Sequence, residues 1–491
     1  MIYSVRPQQN IAGSTSGTSA IFKTILSIIL ALLLLQPAAA QPLGIKTELS
    51  FGGSGQNWGP FRTIRGDGNN YYTLYAHFSN TDGFVRWRIS KFNPGMELLS
   101  SFEIPSATRQ STNTTAGFIQ TPDFGFVSVG ITSVLRSNGK SDFDIRIVKS
   151  LAAGTTAWEK IIGGTGDDRA IGIQAASNGD LLVLSNTDSP DGDMLNPTGQ
   201  MQIILTRLDQ TGNIISKNII TNTGRNEATT FIKTADGNFV IAGASTNEIR
   251  PPYVAEQGLL IKMAGDGTIN WQSTMINTGR NHRFNNLAED KDGSFVIAGR
   301  IMKDTTNRND ALIARFGANG NFISHLSMGG TAADEYKSIA ITPTGIIVAG
   351  GSTYSRDGDV SDNVYGHVQL VTSIHPDGPF YNSYLGHESY NMGSVDHLFH
   401  THDNKLYFVT QSNFDNVFKK TRIGVTDGWL VQLGMRNTVF ANAYIDANQN
   451  GRQDPGEKNF NYGKLEIQKT SGQASSESIY ASRNRFEAVL D

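Results

Sequence analysis

Short apolar runs, each introduced by a turn dipeptide, recur along most of this chain. Asp236-Gly237 leads into Phe239-Val240-Ile241-Ala242-Gly243, and Asp292-Gly293 leads into an identical Phe295-Val296-Ile297-Ala298-Gly299. Weaker copies are Phe124-Gly125 before Phe126 to Gly130, Asn178-Gly179 before Leu181 to Leu184, and Thr344-Gly345 before Ile346 to Gly350. Gly68 before Tyr71 to Ala76, and Asp403-Asn404 before Leu406 to Thr410, complete the set. Counted at the second turn residue, positions 68, 125, 179, 237, 293, 345 and 404 lie 52 to 59 residues apart. The runs are rich in β-branched and aromatic residues and lack helical spacing, so they predict short antiparallel strands.

Each unit carries further apolar runs, such as Gln202 to Leu208, then Gly212-Asn213, then Ile214 to Ile220, which brings the count to four strands per unit. A four-stranded antiparallel unit repeated at this length is a propeller blade. The predicted fold is therefore all-β: a seven-bladed β-propeller of four-stranded antiparallel blades over residues 41–434. The unbroken apolar character of Phe239 to Ala242 suits a strand buried on both faces between neighbouring blades, and the closing glycine suits close backbone approach. A ring must also hide its first and last edges. Ile45 to Phe51 precedes Gly52-Gly53-Ser54-Gly55 as Trp158 to Ile162 precedes Gly163-Gly164-Thr165-Gly166, whereas the last unit stops after Trp429 to Leu433. The lone first strand is thus expected to complete the seventh blade.

Residues 1–40 have a different pattern. Lys23 precedes an apolar run from Ile25 to Leu35, and Ala38-Ala39-Ala40 follow Pro37. At about eleven residues the run is too short to span a bilayer, which favours a secretory signal peptide, cleaved before Gln41, over an uncleaved anchor. A secreted or cell-surface location follows, with no membrane insertion after cleavage. The net charge of -3 gives no electrostatic reason to expect a nucleic acid partner. Cysteine is absent, which excludes disulfides, thiolate metal sites and a lipidated cysteine anchor.

The repeats resemble the β-propeller units common in secreted proteins of the Bacteroidetes, which read W-x-K-x-x-G-G-x-G-x-D, then D-G, then S-x-D-G-D. Trp158-Glu159-Lys160, Gly163 to Asp168, Asn178-Gly179 and Ser189-Pro190-Asp191-Gly192-Asp193 fall in that order, and Ser355-Arg356-Asp357-Gly358-Asp359 recurs later. The fourth and fifth units depart from it, with Thr-Gly-Arg-Asn at Thr223 and Thr278. The resemblance implies architecture and leaves activity open.

After Gly434 the rhythm changes. Val439 to Ile445 is strand-like and leads into Asp446-Ala447-Asn448-Gln449-Asn450-Gly451-Arg452-Gln453-Asp454-Pro455-Gly456-Glu457. Oxygen donors from Asp446, Asn448, Asn450, Asp454 and Glu457, the carbonyl of Arg452, and a turn at Gly451 match the order in which a calcium loop wraps Ca²⁺. An Asn/Gly-rich turn without metal is the competing explanation. The flanks are strands, so this is no EF-hand. The segment resembles the B-type, prealbumin-like β-sandwich repeats of bacterial surface adhesins. Residues 435–491 are accordingly expected to form a partial β-sandwich module, truncated because Phe486 to Leu490 is a strand with no evident partner.

Candidate chemistry is sparse. Asp396-His397-Leu398-Phe399-His400-Thr401-His402-Asp403 would place His400 and His402 on one strand face and His397 on the other, short of three convergent metal ligands. Asp191/Asp193 and Asp357/Asp359 recur at equivalent positions, which favours turn chemistry over acid/base pairs. The insertion around Pro251-Pro252-Tyr253, with Trp58 and Trp87, supplies candidate rim residues, although core packing suits each tryptophan better. No G-x-S-x-G, H-E-x-x-H or P-loop occurs, and no catalytic residue is assigned. The function expected is a non-catalytic adhesion or binding protein presenting loops to an extracellular glycan or protein. The alternative is a carbohydrate-active hydrolase or lyase working in the propeller funnel, which requires carboxylates, His or Tyr converging from several blades.

Overall fold

The computed structural model describes residues 43–434 apart from 106–113, 137, 138, 140, 195, 197, 222, 251–252, 276–280, 303–307, 362, 364–366, 377, 379, 386–393 and 413–422. Elsewhere it describes only the backbone of a few strands. The chain divides into two compact units, one Leu43–Gly434 and the other Met1–Pro42 with Met435–Asp491.

The first unit is a ring of seven four-stranded antiparallel sheets. Blade 3 is typical: Asp168–Ala175, Leu181–Thr187, Gln202–Leu208 and Ile214–Ile219 pair in chain order, and we label such strands A to D. The other A strands are Gln56–Arg65, Thr114–Gln120, Arg225–Lys233, His282–Glu289, Asp334–Ile341 and His397–His400. A strands of successive blades lie beside one another around the axis, while D strands such as Thr156–Ile162 alternate exposed and half-buried residues at the circumference.

The apolar runs of the sequence are the B strands, and their uninterrupted hydrophobicity has a direct cause. Phe239 and Ile241 pack toward blade 3 with Leu182 and Leu184, while Val240 and Ala242 pack toward blade 5 with Phe295 and Ile297. Both faces of the strand meet a neighbouring sheet, so neither can be polar. Core clusters accordingly lie between blades, and each blade is held by the two it touches.

The closing glycine of the run also has a specific role. Opposite it every A strand but the short one of blade 7 breaks register, between Ala228 and Thr230 in blade 4 and between Phe284 and Asn286 in blade 5. A Cβ on Gly243 would lie 2.0 Å from the Glu227 carbonyl oxygen, and one on Gly299 would lie 2.1 Å from that of Arg283. The bulge turns these carbonyls onto the glycine, which leaves no room for a side chain.

Blade 7 closes the ring with strands from both ends of the unit: His397–His400, Leu406–Ser412 and Asp427–Met435 come from one end, and Leu43–Phe51 from the other. The Trp429 indole donates to Glu48 Oε2 at 2.8 Å, and Thr47 Oγ1 donates to Gln432 Oε1 at 3.1 Å. Phe51 ends the strand fully buried, at 0% exposure. Its ring meets Phe92, Tyr75 and Phe61 edge-on, with centroids 5.2, 5.4 and 5.9 Å away. The expected closure is therefore present.

In the second unit Tyr3–Gln8, Lys464–Lys469 and Ser476–Tyr480 form an antiparallel sheet, and Asn437–Ala441 pairs with Phe486–Leu490. The last strand thus has the partner that the sequence did not reveal. Residues 9–42 and the loop 442–463 lie outside the described residues, and no helix among those described is long and apolar enough to cross a membrane.

Truncating Phe51 removes the aromatic plug of the closing strand. Phe51→Ala is expected to destabilise the ring by about 3–5 kcal/mol, read from urea midpoints at unchanged slope. A loss under about 1 kcal/mol would show that closure does not depend on that ring.

Candidate functional site

An innermost strand has a free edge, and its unpaired N–H and C=O groups must find partners near the axis. In this ring the partners come from neighbouring blades. Thr115 Oγ1 donates to the Pro60 carbonyl at 3.0 Å, joining blades 2 and 1. Asn186 Nδ2 donates to the Ala228 carbonyl at 2.9 Å while its Oδ1 accepts from Ala228 N at 2.8 Å, joining blades 3 and 4. Thr229 Oγ1 donates to Phe284 O and Asn285 Nδ2 to Tyr336 O, both at 2.8 Å. Leu398 N donates to Ser338 Oγ at 2.7 Å, and Thr63 N donates to His397 Nδ1 at 3.0 Å, which completes the circle. Between blades 2 and 3 the backbones instead touch, since a Cβ on Gly117 would lie 3.3 Å from the Gly172 Cα.

Thr229, Asn285 and Lys337 are the bulge residues of blades 4 to 6, and Asp396 immediately precedes the short A strand of blade 7, which has no bulge. Asp396 and His397 are half-buried. Burial pushes the Asp396 carboxyl up to about 6, against the pull of Arg62 and Lys337. Burial, reinforced by the Arg62 cation, pushes His397 down to about 3. The geometry agrees: an imidazole whose Nδ1 accepts from a backbone N–H is neutral there.

Three residues later His400 ends the strand, and His402 sits in the following turn, its backbone N–H donating to the Tyr71 hydroxyl. The two do not share a strand face as alternation predicted, because the strand stops between them. Among the described residues no group of three or more His, Asp or Glu is placed to hold a metal ion.

One step toward the channel mouth, register aligns Trp58, Arg169, Glu227, Arg283 and Glu335 of five blades. Their charges are paired locally. Arg283 forks between Glu227 at 2.8 Å and Glu256 at 2.6 Å, Glu335 holds Lys337 at 3.0 Å, and Arg169 holds Asp167 at 2.9 Å. Burial alone would raise the Glu227 carboxyl, but Arg283 and Arg225 outweigh it and keep it below its ordinary value. Trp58 is half-buried against Phe78, at 5.9 Å between centroids. Trp87 is fully buried under the Arg146 guanidinium at 4.5 Å, so it belongs to the core and not to a rim. The side chain of Tyr253 lies outside the described residues.

The recurring Asp pairs tie off the connections into the A strands of blades 3 and 6. Asp191 Oδ1 accepts from Thr165 N, and Asp357 Oδ1 from Thr331 N, each at 2.7 Å. Asp193 N and Asp359 N donate to the carbonyls of Gly163 and Gly329 at 2.9 and 3.0 Å. Beneath them buried Asp168 accepts from Ser189 Oγ and Gly164 N, and Asp334 from Ser355 Oγ and Gly330 N. These carboxylates are spent on turns, as recurrence implied.

Blade topology sorts the connections by face. A–B and C–D links are tight turns, such as Thr234–Asn238 with Gly237 N donating to Thr234 O at 2.9 Å. B–C and D–A links emerge at the opposite end and include the long stretches Thr187 to Gln202, Thr353 to Val368, Leu385 to His397 and Ser412 to Asp427. The proposed calcium ligands Asp446, Asn448, Asn450, Arg452, Asp454 and Glu457 lie outside the described residues. The inter-blade hydrogen bonds were missed from sequence, because the Thr, Asn, Ser and His that make them sit at differing offsets from their turns.

No protein-family model matches the chain, and no curated protein matches it by sequence. Among solved structures, a protein of unknown function from Dyadobacter fermentans aligns at 10% identity and a TM-score of 0.47, covering 80% of this chain and 99% of the other. Puromycin hydrolase aligns at 10% identity and a TM-score of 0.42, covering 79% of this chain and 54%, about half, of the hydrolase. A putative gluconolactonase aligns at 13% identity and a TM-score of 0.29, covering 82% and 96%. The blade count given above comes from this chain's own sheets.

The His397 bond makes a pH prediction. A folded pKa below the unfolded value means that the unfolded chain binds the proton first, so stability falls as pH drops from about 6.5 toward 3. Asp396, raised to about 6, opposes this between about 4 and 6, because there the folded state holds the extra proton. His397→Asn keeps an acceptor for Thr63 N but cannot protonate. The variant is expected to lose up to about 1.4 kcal/mol per pH unit of acid sensitivity relative to the parent, measured by urea unfolding from pH 7 to 4. Identical pH slopes in the two proteins would refute a neutral acceptor at this position.

Proposed function

We propose that this is an exported, non-catalytic binding or adhesion protein whose propeller presents its B–C and D–A connections to an extracellular glycan or protein ligand. One observation carries this: the groups that could do chemistry at the axis are already engaged in holding the ring. His397 and Asp396 come from one blade, His397 is bonded to Thr63 N, and the mouth charges are neutralised in pairs. The freedom to vary lies in the long connections gathered on one face, where scaffolds of this kind place recognition.

Export fits the same architecture. The closing strand begins at Leu43, beyond the expected cleavage before Gln41, so removal of the leader leaves the ring intact. The C-terminal segment is read as a B-type module of 435–491 with Ca²⁺ held by Asp446, Asn448, Asn450, Asp454, Glu457 and the Arg452 carbonyl. Its candidate loop is flanked by strands Asn437–Ala441 and Lys464–Lys469 and not by helices, which favours a rigidifying role over an EF-hand sensor.

The full chain should bind glycans or a surface protein on arrays without releasing reducing ends or cleaved products. Turnover abolished by Asp396→Asn would overturn the non-catalytic assignment in favour of a funnel hydrolase or lyase. For calcium, ~1 mM ion should raise the melting temperature of the C-terminal transition, and Asp446→Ala should remove that rise. No shift, or a shift indifferent to Asp446→Ala, would leave the loop a metal-free turn.

A further inference from the structure

On the face of tight turns two left-handed residues are neither Gly nor Asn: Met96, buried in the core from the C–D turn of blade 1, and Phe124 in the A–B turn of blade 2. At the same place in every A–B turn the backbone is left-handed: Asn69, Phe124, Gly179, Gly237, Gly293, Gly345 and Asn404 have φ of 63, 61, 90, 82, 77, 85 and 61°. Six of these positions hold Gly or Asn, the residues that tolerate this conformation, and blade 2 alone holds a phenylalanine. In blade 1 Gly68, with φ of 58°, is left-handed beside Asn69.

Among the described residues Phe124 joins none of the core clusters. Phe124 is 59% exposed, and no aromatic or cationic partner meets its ring among the described residues. The turn beneath it is nevertheless fixed. Asp123 Oδ1 accepts from Lys149 Nζ and Thr121 Oγ1 at 2.6 Å and from Gly125 N at 3.2 Å. The ring is therefore presented on a rigid mount, which lowers the cost of ordering it against a ligand.

Phe124 borders an open depression of about 410 Å³ between the turns of blades 1, 2 and 3. Ile119, Pro122 and Ala175 contribute its apolar surface, and Gln120, Gln210 and Asp67 its polar rim. Asp67 is held ionised by hydrogen bonds from the Gln120 amide and the Tyr72 hydroxyl, so it can only accept. No lysine or arginine lines the depression, which argues against an anionic ligand. Its volume falls in the small-ligand range. An exposed aromatic face beside amides and one carboxylate suits the two sides of a sugar: C–H groups over the ring, hydroxyls toward the rim.

We infer that Phe124 and the depression between the turns of blades 1 to 3 form a contact subsite for a neutral saccharide, on the face opposite the long connections. This adds a second surface to the binding function proposed above and rests on that function for its biological setting.

The test titrates the full chain calorimetrically with neutral oligosaccharides of β-glucan, mannan and xylan type. At least one should bind, Phe124→Gly should weaken it by about tenfold or more, and Phe124→Trp should retain it. Phe124→Gly should also melt no lower than the parent, since glycine is the residue most other blades use there. Saccharide binding unchanged by Phe124→Gly overturns this subsite while leaving glycan recognition by the connection face intact. Three outcomes overturn the subsite outright: no binding of any of the three oligosaccharides, a marked fall in melting temperature, or loss confined to binding of a protein ligand.

Discussion

A propeller depends on what happens at the free edge of its innermost strands. Each A strand offers one row of backbone groups to a neighbour and the other row to a narrow axis, where an unpaired donor or acceptor is costly. Here the bulge resolves the problem. It leaves Thr229, Asn285 and Lys337 out of the ladder and exposes carbonyls that side chains of the adjoining blade can reach. The same bulge demands glycine across the pair at Gly243 and Gly299. One local distortion thus links the repeated motif, the blade-to-blade bonds and the chemistry of the axis.

That linkage bears on function. A histidine beside a carboxylate at the centre of a propeller has the composition of an active site, but composition is not availability. His397 accepts a backbone proton donor through Nδ1, and protonating it would break the junction between blades 7 and 1 and place a second cation beside Arg62. This is also the junction that the chain ends must complete, through Phe51 and through Thr426, whose carbonyl accepts from Asn57 Nδ2 at 2.7 Å. A proton carrier there would work against ring closure.

Much of the fold was legible because its signals are local. A turn residue with left-handed φ, a doubly buried B strand and an outer strand with alternating exposure each leave a short pattern, and seven copies reinforce one another. The closing strand was legible for the same reason, as an outer-strand pattern without a blade of its own. What escaped were relations between blades. Asn186 bonding Ala228 and Arg283 forking to Glu227 and Glu256 span separations set by the ring, and a single sequence shows only that polar residues recur. The strand at Phe486 had no visible partner because pairing with Asn437–Ala441 crosses the whole C-terminal segment.

Repetition supplies its own controls, and these separate structural residues from others more sharply than composition can. Where seven equivalent positions obey one rule, the residue that obeys it serves the fold, and the residue that violates it at a cost needs another reason. Asp191 and Asp357 obey: both cap the same turn with the same bond length. Phe124 departs from it, taking a conformation that its six counterparts assign to Gly or Asn while its side chain stays 59% exposed, whereas left-handed Met96 is buried in the core. Trp58 lies between these cases, occupying a mouth position that holds a charged residue in four other blades while resting partly on Phe78. The exposed ring of Phe124 on a fixed turn places a search for ligands on the face of the short turns as well as among the long connections.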